Sequence, residues 1–186
     1  MKLFFATVVF VSLALSSRAA EHALSIDKSH SRIEVSVDAT FREFTAKLSD
    51  YETDILADTA TGKITRATLR FKFADLKTGE DKRDEAMLTW ENNDQFPEAV
   101  FTLTAFDGSN PGKPTARGQL IFHGVARSIA LSLTVVTKDQ LVYSIDGEAN
   151  LDVQDFGLPI LHRYGFIRVD PTVTVSFHLQ GSASGK

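Results

Sequence analysis

Cysteine is absent from the 186 residues, so thiol chemistry and disulfides are excluded and a packed core has to hold the fold. Basic clusters are also missing. Lys and Arg number 20 against 24 Asp and Glu and are spread singly, which leaves no patch to neutralise phosphates and excludes nucleic acid as a partner. His30, His123, His162 and His178 stand far apart with no His-Glu-x-x-His framework, so they read as hydrogen-bonded histidines rather than zinc ligands. Catalytic serine signatures are lacking too. Gly181 to Gly185 has the outline of a nucleophile elbow, but its central residue is Ala183. No phosphate-cradling glycine loop is present, and no catalytic residue is expected. Tryptophan occurs once, at Trp90, whereas phenylalanine occurs 14 times.

The one long apolar run is at the start. Met1 and Lys2 are followed by Leu3 to Leu15, apolar apart from Thr7 and Ser12, and Ser17-Arg18-Ala19 suits a small-x-small cleavage site. The run is shorter than the ~20 residues of a spanning helix. Residues 1–19 therefore read as a signal peptide, and the mature chain is expected in the periplasm or secreted. Cleavage after Ala20 is the rival, and would place Arg18 where a small side chain is required. Cleavage after Ala19 leaves Ala20-Glu21-His22 at the amino terminus. The terminal amine, two backbone nitrogens and the His22 imidazole then suit square-planar Cu(II) or Ni(II).

Leu69 to Phe101 organises the rest. Leu69, Phe71 and Phe73 alternate with Thr68, Arg70 and Lys72, the period of a half-buried strand. Thr78 and Asp81 then have capping-box spacing, which predicts a helix from about Gly79 to Trp90. Arg83, Met87 and Trp90 share one face of it, Glu80, Lys82 and Glu91 look toward water, and Arg83 is expected to pair with Asp84. Asn92 to Asp94 end the helix, and Phe101 and Leu103 resume strand alternation.

Alternation dominates elsewhere. Ile33, Val35 and Val37 form one face; Ala46 and Leu48 begin a strand after a turn near Phe41 to Phe44. Leu120 and Phe122, then Ile129 to Val135, then Leu141, Tyr143 and Ile145, and finally Val173, Val175, Phe177 and Leu179 mark further strands. Phe156 to Gly165 reads as a loop, and residues 181–186 as a frayed tail. About eight strands in one domain over 20–180, joined mostly by short turns, suit a closed antiparallel barrel or a two-sheet sandwich. Periodicity leaves both open.

Asp27 with His30-Ser31, Thr78, Arg83-Asp84, Phe96-Pro97 with Phe101, Gly118 to Val125 and Asp155-Phe156-Gly157 follow in an order and spacing that resembles the YceI-like family of exported lipid- or polyisoprenoid-binding proteins. Asp38, Glu43 and Met87 depart from its usual residues. The resemblance implies an all-β, about eight-stranded, antiparallel lipocalin-like extended barrel with one short α-helix over it and an apolar cavity inside. On sequence alone the phenylalanine stripe reads as core. The resemblance turns it into a cavity lining of Leu69, Phe71, Phe73, Met87, Trp90, Phe101, Leu103, Phe122, Phe156 and Phe177. The expected occupant is an isoprenoid-type lipid, a polyisoprenoid or a quinone, with no cofactor required and no enzymatic activity. The alternative is an envelope stress or interaction protein whose barrel is filled by its own side chains and whose partner is a membrane redox protein. Oligomeric state is not legible.

Overall fold

The computed structural model describes residues 21–183 apart from 41, 111, 113, 140 and 164–166; the leader and Ala20 lie outside the described residues. Twelve strand segments and one α-helix are present among them. They are β1 (Glu21–Ile26), β2 (Arg32–Ala39), β3 (Arg42–Leu48), β4 (Glu52–Asp58), β5 (Lys63–Lys72), β6 (Leu76–Lys77), α1 (Asp81–Glu91), β7 (Glu98–Asp107), β8 (Thr115–Phe122), β9 (Val125–Lys138), β10 (Val142–Asp152), β11 (His162–Arg163) and β12 (Ile167–Ala183).

These segments reduce to eight staves. β1 and β2 both pair with β12, through Leu24 with Ala183 and Arg32 with His178, so they are one strand interrupted by a turn. Asp27 builds that turn: its carboxylate accepts from the Ser29 backbone nitrogen at 2.9 Å and hydroxyl at 2.6 Å and pairs with His30 Nδ1 at 2.7 Å. These bonds, the Ser29 hydroxyl first, hold the Asp27 carboxyl down at about 2. The Ser31 hydroxyl donates to the Asp27 carbonyl oxygen at 2.7 Å, so the His30-Ser31 pair serves a structural turn. β3 and β4 form a second interrupted strand, paired with β2 and β1 respectively. From there β4–β5, β5–β7, β7–β8, β8–β9, β9–β10 and β10–β12 are antiparallel neighbours. The β12 pairing with β1 and β2 closes the ring, an up-and-down meander. It is a closed eight-stranded barrel, not a sandwich.

Several expectations are corrected. Arg42 and Phe44 already belong to β3, and Glu52–Asp58, unread in the sequence, is a full strand. Gly181 to Ala183 are not a frayed tail, because they pair with Leu24 to Ile26 and complete the closure. Leu141 is exposed rather than inward. The helix starts at Asp81 with Glu80 as its cap residue, and the Thr78–Asp81 capping box does not form. Instead Asp84 reaches back to the Thr78 backbone nitrogen at 2.9 Å and hydroxyl at 2.5 Å, while Arg83 pairs with Glu80 at 2.9 Å. At the other end Asn92 adopts the left-handed conformation, φ 59°, that terminates a helix. Glu91 does not look toward water; it is fully buried.

Candidate functional site: an apolar barrel interior

Two adjoining cavities occupy the barrel. The deeper one, about 180 Å³, is lined by all staves and presents apolar surface; Thr53 and Thr68 are the polar residues along it among the described residues, and neither turns a polar atom to the lumen. The outer one, about 130 Å³, lies beneath α1 and Ile160 and Leu161, and Asp170 is the one charged residue at its wall among the described residues. Val35, Phe71, Leu76, Leu120, Leu151 and Val175 line both, so the two are parts of one lumen. Together they hold about 310 Å³, at the lower end of the ~300–1,000 Å³ of small-molecule sites. Beyond Ile55 and Ile145 the next inward positions, Ala57 and Tyr143, are fully buried and close the barrel.

Nine of the ten residues expected at the cavity are on its wall. Leu69, Phe101, Leu103 and Phe177 line the deep part, Phe73, Met87, Trp90 and Phe122 the outer part, and Phe71 both. Phe156 lines neither. It sits at the end of a short 3-10 turn, Val153–Phe156, packed edge-on against Phe122 with ring centroids 5.5 Å apart. Its ring therefore supports the wall from behind. Asp155-Phe156-Gly157 is a turn signal, and the turn carries the ring away from the inward face.

The helix closes over the outer cavity through Met87 and Trp90. Trp90 Nε1 donates to the Pro159 carbonyl oxygen at 2.8 Å, and the Arg83 guanidinium lies 4.6 Å from the centre of the Phe44 ring, itself part of the wall. On the helix Glu91 is buried with neither carboxylate oxygen hydrogen-bonded, and burial pushes its carboxyl up to about 7. His178 pairs with Asp146 at 2.7 Å, and the His123 ring nitrogen Nδ1 lies 3.1 Å from the Phe156 carbonyl oxygen. Among the described residues no group of three or more His, Asp and Glu side chains is placed to hold a metal. His22 stands in β1 opposite Ala57, while Ala20, which would supply the terminal amine of a copper site, lies outside the described residues.

The profile of the YceI-like domain matches residues 24–181. The chain belongs to the YceI-like family. No curated protein matches it. Among solved structures, BcnA of Burkholderia cenocepacia is similar with a TM-score of 0.73 at 17% identity, over 84% of this chain and 99% of that one. A polyisoprenoid binding domain from Saccharophagus degradans, implicated in plant cell wall breakdown, follows with a TM-score of 0.66 at 18% identity, over 88% and 99%. The YCEI protein of Campylobacter jejuni has a TM-score of 0.64 at 15% identity over the whole of both chains. At these identities the likeness is one of fold.

In this YceI-like barrel the lining also includes residues outside the sequence-based set: Ile55, Ile64 and Ala67 from β4 and β5, Phe106 from β7, and Ile160 and Leu161 under the helix. Phe106 and Ile64 break the alternation of their neighbours because of bulges. The β7–β8 register shifts between Leu103 and Ala105, which turns Phe106 to the same side as Phe101 and Leu103. The β4–β5 register shifts between Leu56 and Ala57, and Thr65 is the extra residue that returns Ile64 to the interior.

Proposed function

We propose that the protein is an exported, non-enzymatic carrier or store of an isoprenoid-type lipid, a polyisoprenoid or a quinone, held in the barrel lumen. The observation that carries this reading is the deep cavity, whose wall presents apolar atoms to the lumen. Such a wall suits a flexible hydrocarbon, which requires buried area and few directed bonds. Each buried CH₂ contributes about 0.8 kcal/mol, so ten give a gross ~8 kcal/mol before ordering costs, enough without a charged anchor. The polyisoprenoid binding domain from Saccharophagus degradans, which shares the fold, supports the same ligand class. Export rests on the leader-like residues 1–19, and places the carrier in the periplasm or outside the cell.

The competing reading, an envelope interaction protein partnering a membrane redox protein, requires a barrel filled by its own side chains, and the open lumen weighs against it. Native mass spectrometry with solvent extraction separates the two. Protein purified from its own envelope should carry lipid at about one per chain, in keeping with the single lumen of an eight-stranded barrel. A chain that comes out empty and takes up neither polyprenol nor quinone would end the carrier reading.

A further inference from the structure

Two glycines stand where the wall of the deep cavity would otherwise carry side chains. Gly118 in β8 falls between the inward Ala116 and Leu120, and Gly147 in β10 between the inward Ile145 and Ala149. Phenylalanines from neighbouring strands fill the vacated space. Gly147 pairs directly with Phe177 on one side and Leu133 on the other; a Cβ there would collide with the Phe177 ring and stand 2.7 Å from Leu133 Cδ2. A Cβ at Gly118 would collide with the Phe101 ring and stand 2.8 Å from the Thr102 carbonyl oxygen. All these contacts fall inside the ~3.5–4.0 Å of ordinary carbon packing. Both rings thus lie over a neighbour's bare backbone, the arrangement by which an aromatic covers a strand glycine.

Both rings also line the deep cavity. Glycine within a strand weakens it, through backbone entropy and the missing side chain, so strand stability alone would favour alanine at either position. What glycine provides here is room. With Phe101 and Phe177 drawn onto the wall, the lumen stays open to the depth of Ile145 and Leu179. A methyl group at either position would drive a ring across it.

We propose that Gly118 and Gly147, through Phe101 and Phe177, set how long an apolar tail the barrel accepts. This rests on the lipid-carrier reading and adds to it a tail-length limit located at two named positions. The limit acts on the tail and not on the head group, because among the described residues the deep cavity has no charged side chain to hold a head.

Gly147→Ala is the cleaner test, since the nearest atoms in the way belong to the side chains of Phe177 and Leu133, whereas at Gly118 the Thr102 backbone is among them. Protein stripped of lipid is titrated with quinones bearing prenyl, geranyl, farnesyl and longer tails, read by Trp90 emission. For the unaltered chain, affinity should rise with each isoprene unit and then level. In Gly147→Ala it should level at a shorter tail, with about tenfold weaker binding of longer tails and a change within about threefold for shorter ones. Adding Phe177→Leu to Gly147→Ala should restore the original limit. Phe177→Leu alone should extend it, which keeps the test decisive if circular dichroism shows that Gly147→Ala does not fold. An unchanged limit in these variants, or equal weakening at every tail length, would overturn the inference while leaving the carrier reading standing. Failure of the unaltered chain to bind any quinone or polyprenol would remove both.

Discussion

Trp90 and Pro159 are joined by one hydrogen bond, 2.8 Å from the indole nitrogen to the carbonyl oxygen, which fastens the last turn of α1 to the segment facing it across the outer cavity. Ile160 and Leu161, next to Pro159, line the same cavity as Met87 and Trp90. Helix and segment therefore hold each other over the lumen. Trp90→Phe keeps an aromatic ring but removes the donor, a loss of about 0.5–1.5 kcal/mol. If the two elements part to release lipid, transfer of a bound quinone to vesicles should quicken about three- to tenfold, with little change in melting temperature. Unchanged transfer with a sharply lowered melting temperature would show that Trp90 is ordinary core packing.

Phe156 makes the opposite expectation. Its ring is buried against Phe122 and lines neither cavity. Phe156→Ala should lower unfolding free energy by ~3–5 kcal/mol while the folded fraction binds quinone as before. Chemical denaturation gives the first quantity and titration at low temperature the second. Lost affinity in fully folded protein would return Phe156 to the binding wall.

The barrel was legible because most of its staves carry a period-two run of apolar residues, as in Ile129 to Leu133 and Val173 to Leu179. Glu52–Asp58 escaped because Ile55 and Ala57 are the only apolar residues on its inward face, after Thr53, and three acidic residues surround them. The same rule failed at Ile64 and Phe106, where a bulge resets the alternation without leaving a distinctive residue behind. At the site, the phenylalanines of β5, β7, β8 and β12 were readable as inward, but whether inward means core or cavity depends on volumes that no periodicity carries. The helix was misread at both ends for a related reason. Thr78 had two carboxylates within reach along the chain, Asp81 and Asp84, and the charge on Glu91 suggested water at a position that tertiary packing covers.

The Thr78 and Asp84 pairing bears on the start of that helix. Asp84 accepts from both the backbone nitrogen and the hydroxyl of Thr78, and Asp84→Ala takes this acceptor from the nitrogen and leaves the hydroxyl only a 3.5 Å contact to the Glu80 carbonyl oxygen. A loss of ~1–3 kcal/mol is expected. Arg83→Ala should cost less, since its ion pair with Glu80 is largely at the surface and such pairs contribute about 0–1 kcal/mol. Denaturation of the two single variants and the double variant should show additive losses. Strong coupling between positions 83 and 84 would instead support a direct Arg83–Asp84 ion pair.

Glu91 makes stability depend on pH in an unusual direction for a carboxylate. Burial without a hydrogen-bond partner raises its carboxyl from 4.5 to about 7, and its place in the last turn of a helix, where the dipole disfavours an anion, acts in the same sense. Between those two values the unfolded chain has released the proton while the folded chain keeps it, so folding binds a proton and stability falls as pH rises. The loss begins near pH 4.5 and is complete somewhat above pH 7, amounting to about 3 kcal/mol. Glu91→Gln keeps the shape and cannot ionise, so its unfolding free energy should lack this decline. Relative to the unaltered protein, the variant should gain stability progressively from pH 5 to pH 8. Parallel pH profiles for the two proteins would mean that Glu91 reaches water or a partner when charged, and that its burial costs nothing.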